Sequence, residues 1–214
     1  TKTLLIDGNN LYMIGYNGVK DLFSNNNHIG GIFHFVNTIR KHLEESNYDK
    51  VIVFWDSETK TSLRKQIYPN YKSQRKNEMS EEQYESYLHQ RQRVKQYLEE
   101  VFVRQVEVIN NEADDLIAYY CQIAETEQIT IFSGDRDLTQ LISDKTSVYS
   151  PSIKQLYKKG DKINRWITLY YMKKDYPPNW IKIKDGSVYT FDSEPINFQK
   201  NLQLLRTGMI KNIL

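Results

Sequence analysis

The segment that decides the fold runs from Glu112-Ala113-Asp114-Asp115 to Ser133-Gly134-Asp135-Arg136-Asp137. Its first four residues precede a helical pattern of apolar residues, for which Asn110-Asn111 are the expected N-cap. Its last five residues follow Gln128-Ile129-Thr130-Ile131-Phe132, which has the composition of a strand. This short segment therefore contains several carboxylates, some at a predicted helix start and the others after a predicted strand.

Two further aspartates follow strand-like runs. Asp7 comes directly after Thr3-Leu4-Leu5-Ile6, and Asp56 follows the run of residues 50–55. Because open α/β sheets place their sites at the carboxyl ends of the strands, we expect these acids to share one cleft with the acids of the deciding segment. The competing interpretation, ordinary surface acids that favour a helix N-terminus, suits any one of them but not all of them together.

Crowded carboxylates raise one another's pKa values unless a cation neutralises them. Hard divalent ions with oxygen ligands, Mg²⁺ or Mn²⁺, are suited to this role. Two such ions can activate a water and stabilise the leaving oxygen in phosphodiester cleavage. The predicted metal ligands are Asp7, Asp56, Glu112, Asp114, Asp115, Asp135 and Asp137.

The most basic stretch of the chain begins shortly after Asp56. Cations that neutralise phosphates and aromatic rings that stack on bases are typical of a surface that follows a nucleic-acid strand. A solvated basic helix and loop is the alternative, and the position beside Asp56 favours the nucleic-acid interpretation. The predicted nucleic-acid-binding residues are Lys60, Arg64, Lys65, Tyr68, Tyr71 and Lys76.

Two neighbouring elements also have clear patterns. Gly8-Asn9-Asn10 predict a turn after the first strand. Residues 80–100 predict a helix that starts with a capping box from Ser80 to Gln83. The apolar stripe of this helix predicts that Arg91 faces elsewhere.

The order and spacing of four motifs resemble the 5′ nucleases: flap endonucleases, the 5′–3′ exonuclease domains of bacterial DNA polymerases, and related phage exonuclease/ribonuclease H proteins. The motifs are residues 5–10, 55–56, 112–115 and 133–138, and the resemblance covers residues 3–150. It implies an α/β fold with a central, mostly parallel twisted sheet and helices on both faces, as in PIN domains. It also implies a helical arch inserted at about residues 57–100.

The resemblance implies a function as well. It points to a 5′–3′ exonuclease and flap endonuclease that uses two Mg²⁺ or Mn²⁺ ions on DNA with a 5′ single-stranded end or flap, and it leaves RNA paired with DNA open as a substrate. Residues 64–75 resemble the family's R-x-x-x-Y-K-x-x-R element, whose Lys and Arg contact the scissile phosphate. By that resemblance Lys72 and Arg75 are the expected catalytic cations.

The resemblance ends after residue 150. The family continues with a Gly-Asp-x-x-Asp-Asn motif and a Gly-rich helix–hairpin–helix element, whereas residues 161–185 contain no glycine. Three explanations stay open: the protein lacks the element, a segment is missing from this sequence, or another part replaces it. The expected organisation is a catalytic domain at residues 1–150 and an appendage without the motif at residues 151–214.

Length and composition set broader limits. The chain has 214 residues and a formal net charge of +2, so bulk charge alone does not indicate a nucleic-acid partner. A single cysteine, and no visible membrane span or signal peptide, predict a protein of the cytoplasm. The family resemblance implies a bacterium or a phage-infected host, and the expected state is a monomer. Two alternative functions remain: a PIN-like single-strand ribonuclease, and a non-catalytic DNA-binding member of the family.

Overall fold

The computed structural model describes residues 1–59 and 79–161, and the backbone alone of residues 167–168, 182–184 and 187–189. The chain divides into two compact units, Thr1–Lys158 and Lys159–Leu214. The predicted phosphate-contacting and nucleic-acid-binding residues of the 60–76 stretch lie outside the described residues.

The first unit contains a six-stranded sheet in the order β5-β4-β1-β6-β7-β8. All neighbours from β5 to β7 pair in parallel, and β8 pairs antiparallel with β7. A short antiparallel hairpin, β2 with β3, lies outside this sheet. The strands are β1 (Lys2–Asp7), β2 (Phe23–Ser24), β3 (Asn27–His28), β4 (Lys50–Trp55), β5 (Arg104–Glu107), β6 (Gln128–Phe132), β7 (Thr146–Ser150) and β8 (Gln155–Tyr157).

Helices cover both faces of this sheet. They are α1 (Gly8–Gly18), α2 (Gly30–Glu45), α3 (Glu81–Glu100), α4 (Ala113–Ile123) and a 3₁₀ helix (Arg136–Leu141). Leu4 and Ile6 of β1 pack with apolar residues of α1, α2 and α3. Leu5, on the opposite side of the same strand, packs with apolar residues of α4 and the 3₁₀ helix. The mostly parallel sheet with helices on both faces confirms the predicted α/β fold.

The start of each helix shows where the local predictions hold. Ser80 and Gln83 form the predicted capping box of α3. The predicted turn at Gly8-Asn9-Asn10 is wrong, because α1 begins at Gly8 with the Asp7 side chain as its cap. The predicted cap of α4 at Asn110-Asn111 is also wrong, because Glu112 is the N-cap residue and makes no side-chain cap hydrogen bond.

Glycine is needed at position 8 because α1 starts directly against β4. A Cβ there would lie 2.8 Å from a ring carbon of Trp55 and 2.9 Å from the carbonyl oxygen of Phe54. Distances below 3 Å would force one element away from the other. Gly8 therefore lets α1 leave β1 close to the end of β4.

The described backbone of the second unit forms a small antiparallel sheet. Its strands β9 (Ile167–Thr168), β10 (Lys182–Lys184) and β11 (Ser187–Tyr189) are arranged in the order β11-β10-β9. Among the described residues of the whole chain, no helix has both the length and the apolar composition of a membrane span.

Candidate functional site

The site edge of the sheet is formed by the carboxyl ends of β1, β4 and β6. β1 lies between the other two strands and pairs in parallel with both, with Ile6 opposite Val53 and Phe132. Asp7 ends β1, Asp56 follows β4, and Ser133 begins the loop after β6. The chain runs outward from β1 through β4 to β5 and then crosses to β6 on the other side of β1, so β1 and β6 border a topological switch point, where open α/β sheets bind their ligands.

Asp7 is the buried carboxylate at the centre of this edge, with 7% of its surface exposed. Its Oδ1 accepts a hydrogen bond from the Asn10 N–H (3.0 Å) and its Oδ2 accepts one from the Ser133 hydroxyl (2.9 Å). Burial raises the pKa of Asp7 to about 7, and the negative charges of Asp56 and Asp135 add to the rise, which outweighs both hydrogen bonds. The three aspartates are therefore close enough to repel one another.

Asp56 connects the end of β4 to three helices. Its N–H donates to Asn9 Oδ1 of α1 (3.0 Å), and its Oδ1 accepts from the N–H of Ala113 at the start of α4 (2.8 Å). Its carbonyl oxygen accepts from Arg91 Nη2 of α3 (2.8 Å). Backbone and side chain of this aspartate are thus both held in place.

Three acids lie together at the start of α4. Glu112 is buried, and carboxylate oxygens of Glu112, Asp114 and Asp115 lie within 4.8 Å of one another. The hydrogen bond from Ala113 to Asp56 joins this group to the end of β4. The first turn of α4 and the strand end together supply oxygen atoms from separate parts of the chain.

Asp135 caps the 3₁₀ helix and lies near Asp7. Its Oδ1 accepts from the Asp137 N–H (2.9 Å), and its own N–H donates to Ser133 Oγ (3.0 Å). The Gly134 N–H donates to Asn10 Oδ1 (2.8 Å), which fixes the loop after β6 against α1. Asp137 lies in the first turn of the 3₁₀ helix and is linked to Asp135 through its backbone N–H.

Sequence reasoning missed the residues that hold these acids in place. Asn9 and Asn10 were predicted to be part of a turn, yet each side chain accepts a hydrogen bond from a neighbouring strand end. Arg91 was predicted to face away from the apolar stripe of its helix, and this is wrong because it is buried with Val94 and Leu98. The spacing of residues 91, 94 and 98 is the helical period and could have indicated a shared face.

The predicted basic residues follow Asp56 in the sequence. Lys60, Arg64, Lys65, Tyr68, Tyr71, Lys72, Arg75 and Lys76 all lie outside the described residues. The described residues before them lie beside α4, since the Ser57 N–H donates to the Asn111 carbonyl (3.2 Å) and Ser57 Oγ accepts from the Asn110 N–H (3.0 Å). The basic stretch thus begins a few residues after Asp56.

The donor set at this edge fits a hard divalent cation. The candidate ligands are carboxylates, which match the oxygen preference of Mg²⁺ and Mn²⁺. Burial is the main cause of the raised pKa of Asp7, and repulsion by Asp56 and Asp135 adds to it. A bound cation would relieve that repulsion.

Known proteins with similar sequences include 5′-3′ exonucleases and bacterial DNA polymerases. The family model described as "5′-3′ exonuclease, N-terminal resolvase-like domain" matches residues 2–168. A 5′-3′ exonuclease of Halalkalibacterium halodurans is 36% identical over 161 residues, which cover 67% of this chain and 50% of that protein. DNA polymerase I of Bacillus subtilis is 31% identical over 154 residues, which cover 69% of this chain and 16% of the polymerase. The chain thus spans half or less of the length of these two relatives.

Solved structures share the fold. The T5 D15 protein co-crystallised with metal ions aligns with a TM-score of 0.59 at 22% identity, covering 74% of this chain and 57% of that one. A pseudo-enzyme-product complex of the bacteriophage T5 D15 flap endonuclease with DNA and metal ions aligns with a TM-score of 0.57 at 22% identity, covering 74% and 58%. At this level of identity the likeness concerns the fold.

Proposed function

The chain belongs to the 5′–3′ exonuclease family through its N-terminal resolvase-like domain, and we propose that it is a divalent-metal-dependent 5′ nuclease that hydrolyses phosphodiester bonds in DNA. The proposed substrate is DNA with a 5′ single-stranded end or flap, degraded from the 5′ end and cut at the flap junction. RNA in an RNA–DNA hybrid is proposed as a further substrate.

The observation that carries this proposal is the convergence of Asp7, Asp56 and Asp135 at adjacent strand ends. They come from three separate parts of the chain, and their mutual repulsion helps to raise the pKa of Asp7 to about 7. Each of these carboxylates accepts a hydrogen bond from a neighbouring group, but such bonds alone do not require three acids from separate strand ends to lie near one another. A site that holds metal ions needs the carboxylates themselves to converge.

The chain would hold two ions, Mg²⁺ or Mn²⁺, between these aspartates and the acids at the start of α4. When bound, the ions supply an activated water and stabilise the charge of the leaving oxygen. The chain's own residues fix the ligands: Ser133 and Asn10 hold Asp7, while Asn9 and the start of α4 hold Asp56. The proposed ligands are Asp7, Asp56, Glu112, Asp114, Asp115, Asp135 and Asp137.

Nucleic-acid contacts are proposed for the basic stretch that follows Asp56. Lys72 and Arg75 would neutralise the charge that develops on the scissile phosphate. The other residues would follow the single strand, by charge and by stacking of tyrosine rings: Lys60, Arg64, Lys65, Tyr68, Tyr71 and Lys76. A flap endonuclease that was solved in complex with DNA and metal ions shares the fold, which supports DNA as the proposed substrate.

The proposed catalytic domain comprises residues 1–150, with a helical arch at about residues 57–100 that includes α3. Residues 151–214 are the proposed appendage, and the protein is proposed to act as a monomer. The compact unit Thr1–Lys158 supports a boundary in this region.

Cleavage of a labelled 5′-flap duplex tests the function. We expect cutting near the flap junction with Mg²⁺ or Mn²⁺ and none with a chelator, and a labelled RNA–DNA hybrid tests the further substrate. A matched single-stranded RNA tests the PIN-like alternative, and faster cutting of that RNA than of the flap would contradict the proposed substrate. Tight, salt-dependent DNA binding without cutting in either metal would show a non-catalytic member of the family.

A further inference from the structure

Arg91 is a buried cation whose position packing does not explain. Only 9% of its surface is exposed, and its guanidinium carbon lies 5.2 Å from the centre of the Trp55 ring. Its Nη2 is 2.8 Å from the carbonyl oxygen of Asp56 and 3.6 Å from Glu107 Oε1, while its Nε has no hydrogen-bond acceptor among the described residues. Burying a charge with one donor unpaired is unfavourable, and an apolar side chain would fill this space without that penalty.

The bond from Arg91 is one of three hydrogen bonds by which helices hold Asp56. The N–H, the side-chain Oδ1 and the carbonyl oxygen of Asp56 are each held by a different helix, through Asn9, Ala113 and Arg91. The peptide plane after Asp56 is held at both ends, because its N–H, that of Ser57, donates to the Asn111 carbonyl (3.2 Å) and its carbonyl oxygen accepts from Arg91. Arg91 supplies the side-chain contact to this plane, and the orientation of the plane affects the direction in which the Asp56 side chain leaves the backbone.

α3 is itself held against α1 near Arg91. The Tyr12 hydroxyl donates to the Tyr87 carbonyl (2.7 Å), and the Tyr16 hydroxyl donates to the Gln83 carbonyl (2.6 Å). α1 begins at the residue after Asp7. α3 is therefore bonded to Asp56 directly, through Arg91, and is linked to Asp7 through α1. It begins shortly after the basic stretch ends.

We propose that Arg91 is a positioning residue that fixes Asp56 as a metal ligand, so that metal affinity at the site depends on how α3 is held. The metal part of this inference rests on the proposed function. The positioning part concerns the metal-free protein and can be tested without it. Residues that orient a metal ligand typically change metal affinity by roughly 10- to 100-fold when they are replaced.

Lys95 provides a matched control on the same helix. It lies one turn after Arg91, pairs with the same Glu107 and has its Nζ 6.0 Å from the centre of the Trp55 ring. Its side chain has no described hydrogen bond to Asp56. Arg91→Met and Lys95→Met therefore remove a cation from the same group of residues, but only the first removes a donor to Asp56.

The first measurement is amide hydrogen exchange in the metal-free full-length chain. Arg91→Met should speed exchange at the Asp56 and Ala113 amides by roughly 10-fold relative to wild type, since both depend on how Asp56 is oriented. Lys95→Met should change these two rates by less than about 2-fold, even if it lowers the melting temperature as much. Equal rates in the two variants would overturn the positioning role.

The second measurement is the Mn²⁺ affinity of the same proteins, followed by the electron paramagnetic resonance signal of free Mn²⁺. Arg91→Met should weaken binding by roughly 10-fold, Arg91→Lys should restore part of the loss, and Lys95→Met should match wild type. Unchanged Mn²⁺ affinity in Arg91→Met would overturn the inference and leave the proposed nuclease function standing. If wild type binds Mn²⁺ as expected but cuts no flap DNA, the proposed function fails and the role of Arg91 is retained.

Discussion

At the amino ends of the strands, Glu127 accepts hydrogen bonds from Lys50, Thr3 and Tyr120, whereas at the carboxyl ends Asp7 lies near Asp56 and Asp135. Burial alone would raise the pKa of Glu127, but the cation and the two hydroxyl donors outweigh it and lower that pKa. The pKa of Asp7 is raised to about 7.

The opposite pKa shifts distinguish a carboxylate that supports the fold, Glu127, from one that a functional site requires, Asp7. The edge at Glu127 combines a carboxylate with a cation, and that pairing contributes to stability. At the site edge, burial and the nearby carboxylates of Asp56 and Asp135 make the charged form of Asp7 unfavourable in the metal-free protein. This is the pattern expected where perturbed pKa values mark functional residues.

The strongest test removes one carboxylate from the site edge. Asp135→Asn keeps an acceptor for the Asp137 N–H but removes a negative charge, and we expect metal-dependent cleavage of the 5′-flap duplex to fall by roughly 10³-fold. Single-turnover rates measure the change. Asp144→Asn, an exposed aspartate before β7 at the other edge, should change the rate by less than about 2-fold and is the control. If Asp135→Asn kept most of the wild-type rate, Asp135 would not be a metal ligand.

The raised pKa of Asp7 predicts an unusual pH dependence of stability in a chelator. Since the folded-state pKa (about 7) lies above the ordinary 3.8, the folded state binds this proton more tightly than the unfolded state. The free energy of unfolding should therefore fall as pH rises from about 4 to about 7 and level off above that, by up to ~4 kcal/mol for a shift of about three pH units. Asp7→Asn should remove this decline.

Urea unfolding in a chelator at about pH 5 and about pH 8 measures the effect. Asp7→Asn should be more stable than wild type at the higher pH, and a divalent metal should stabilise wild type there. A wild-type stability that is equal at both pH values would mean that Asp7 is ionised at little cost and that the contrast between the two edges is smaller than the structure indicates.

Glu127→Gln tests the amino ends of the strands, where we expect the pH dependence of stability to be opposite to that of Asp7. Because the folded-state pKa of Glu127 is lowered, its contribution is present above the unfolded-state pKa and is lost as pH falls through the folded-state pKa. At neutral pH the substitution should lower the free energy of unfolding by ~1–3 kcal/mol, measured by urea unfolding. Flap cleavage below the melting temperature should stay near the wild-type rate, and a large loss of cleavage would show that the two edges are not independent.

Sequence patterns, together with the family resemblance, were sufficient to predict the sheet and the acids at its edge. A strand that ends in aspartate, as β1 does, has a local signature, and parallel pairing places such ends together whatever the intervening chain does. The capping box of α3 was predictable for the same reason, because Ser80 and Gln83 are near neighbours in sequence.

The hydrogen bonds that orient Asp56 could not be predicted, because their partners are distant in sequence. Asp56 caps α4 at Ala113, 57 residues further along the chain, so the local candidates Asn110-Asn111 were the wrong choice. Asn9 is part of a helix because the Asp7 side chain caps α1. Arg91 is buried because of Trp55 and Asp56, and no local pattern shows that contact.

The smallest expected effect comes from two hydroxyl groups that are matched across the sheet. Ser133 is 1% exposed and donates to Asp7 Oδ2 (2.9 Å), while Thr3 is 0% exposed and donates to Glu127 Oε2 (2.5 Å). Ser133→Ala and Thr3→Val should each lower the free energy of unfolding by ~1 kcal/mol. Only Ser133→Ala should also slow flap cleavage, by roughly 10-fold, because that hydroxyl orients a proposed ligand and accepts from the Asp135 N–H. Equal slowing by both substitutions would mean that cleavage follows global stability, so that the carboxyl ends of the strands would have no special part in it.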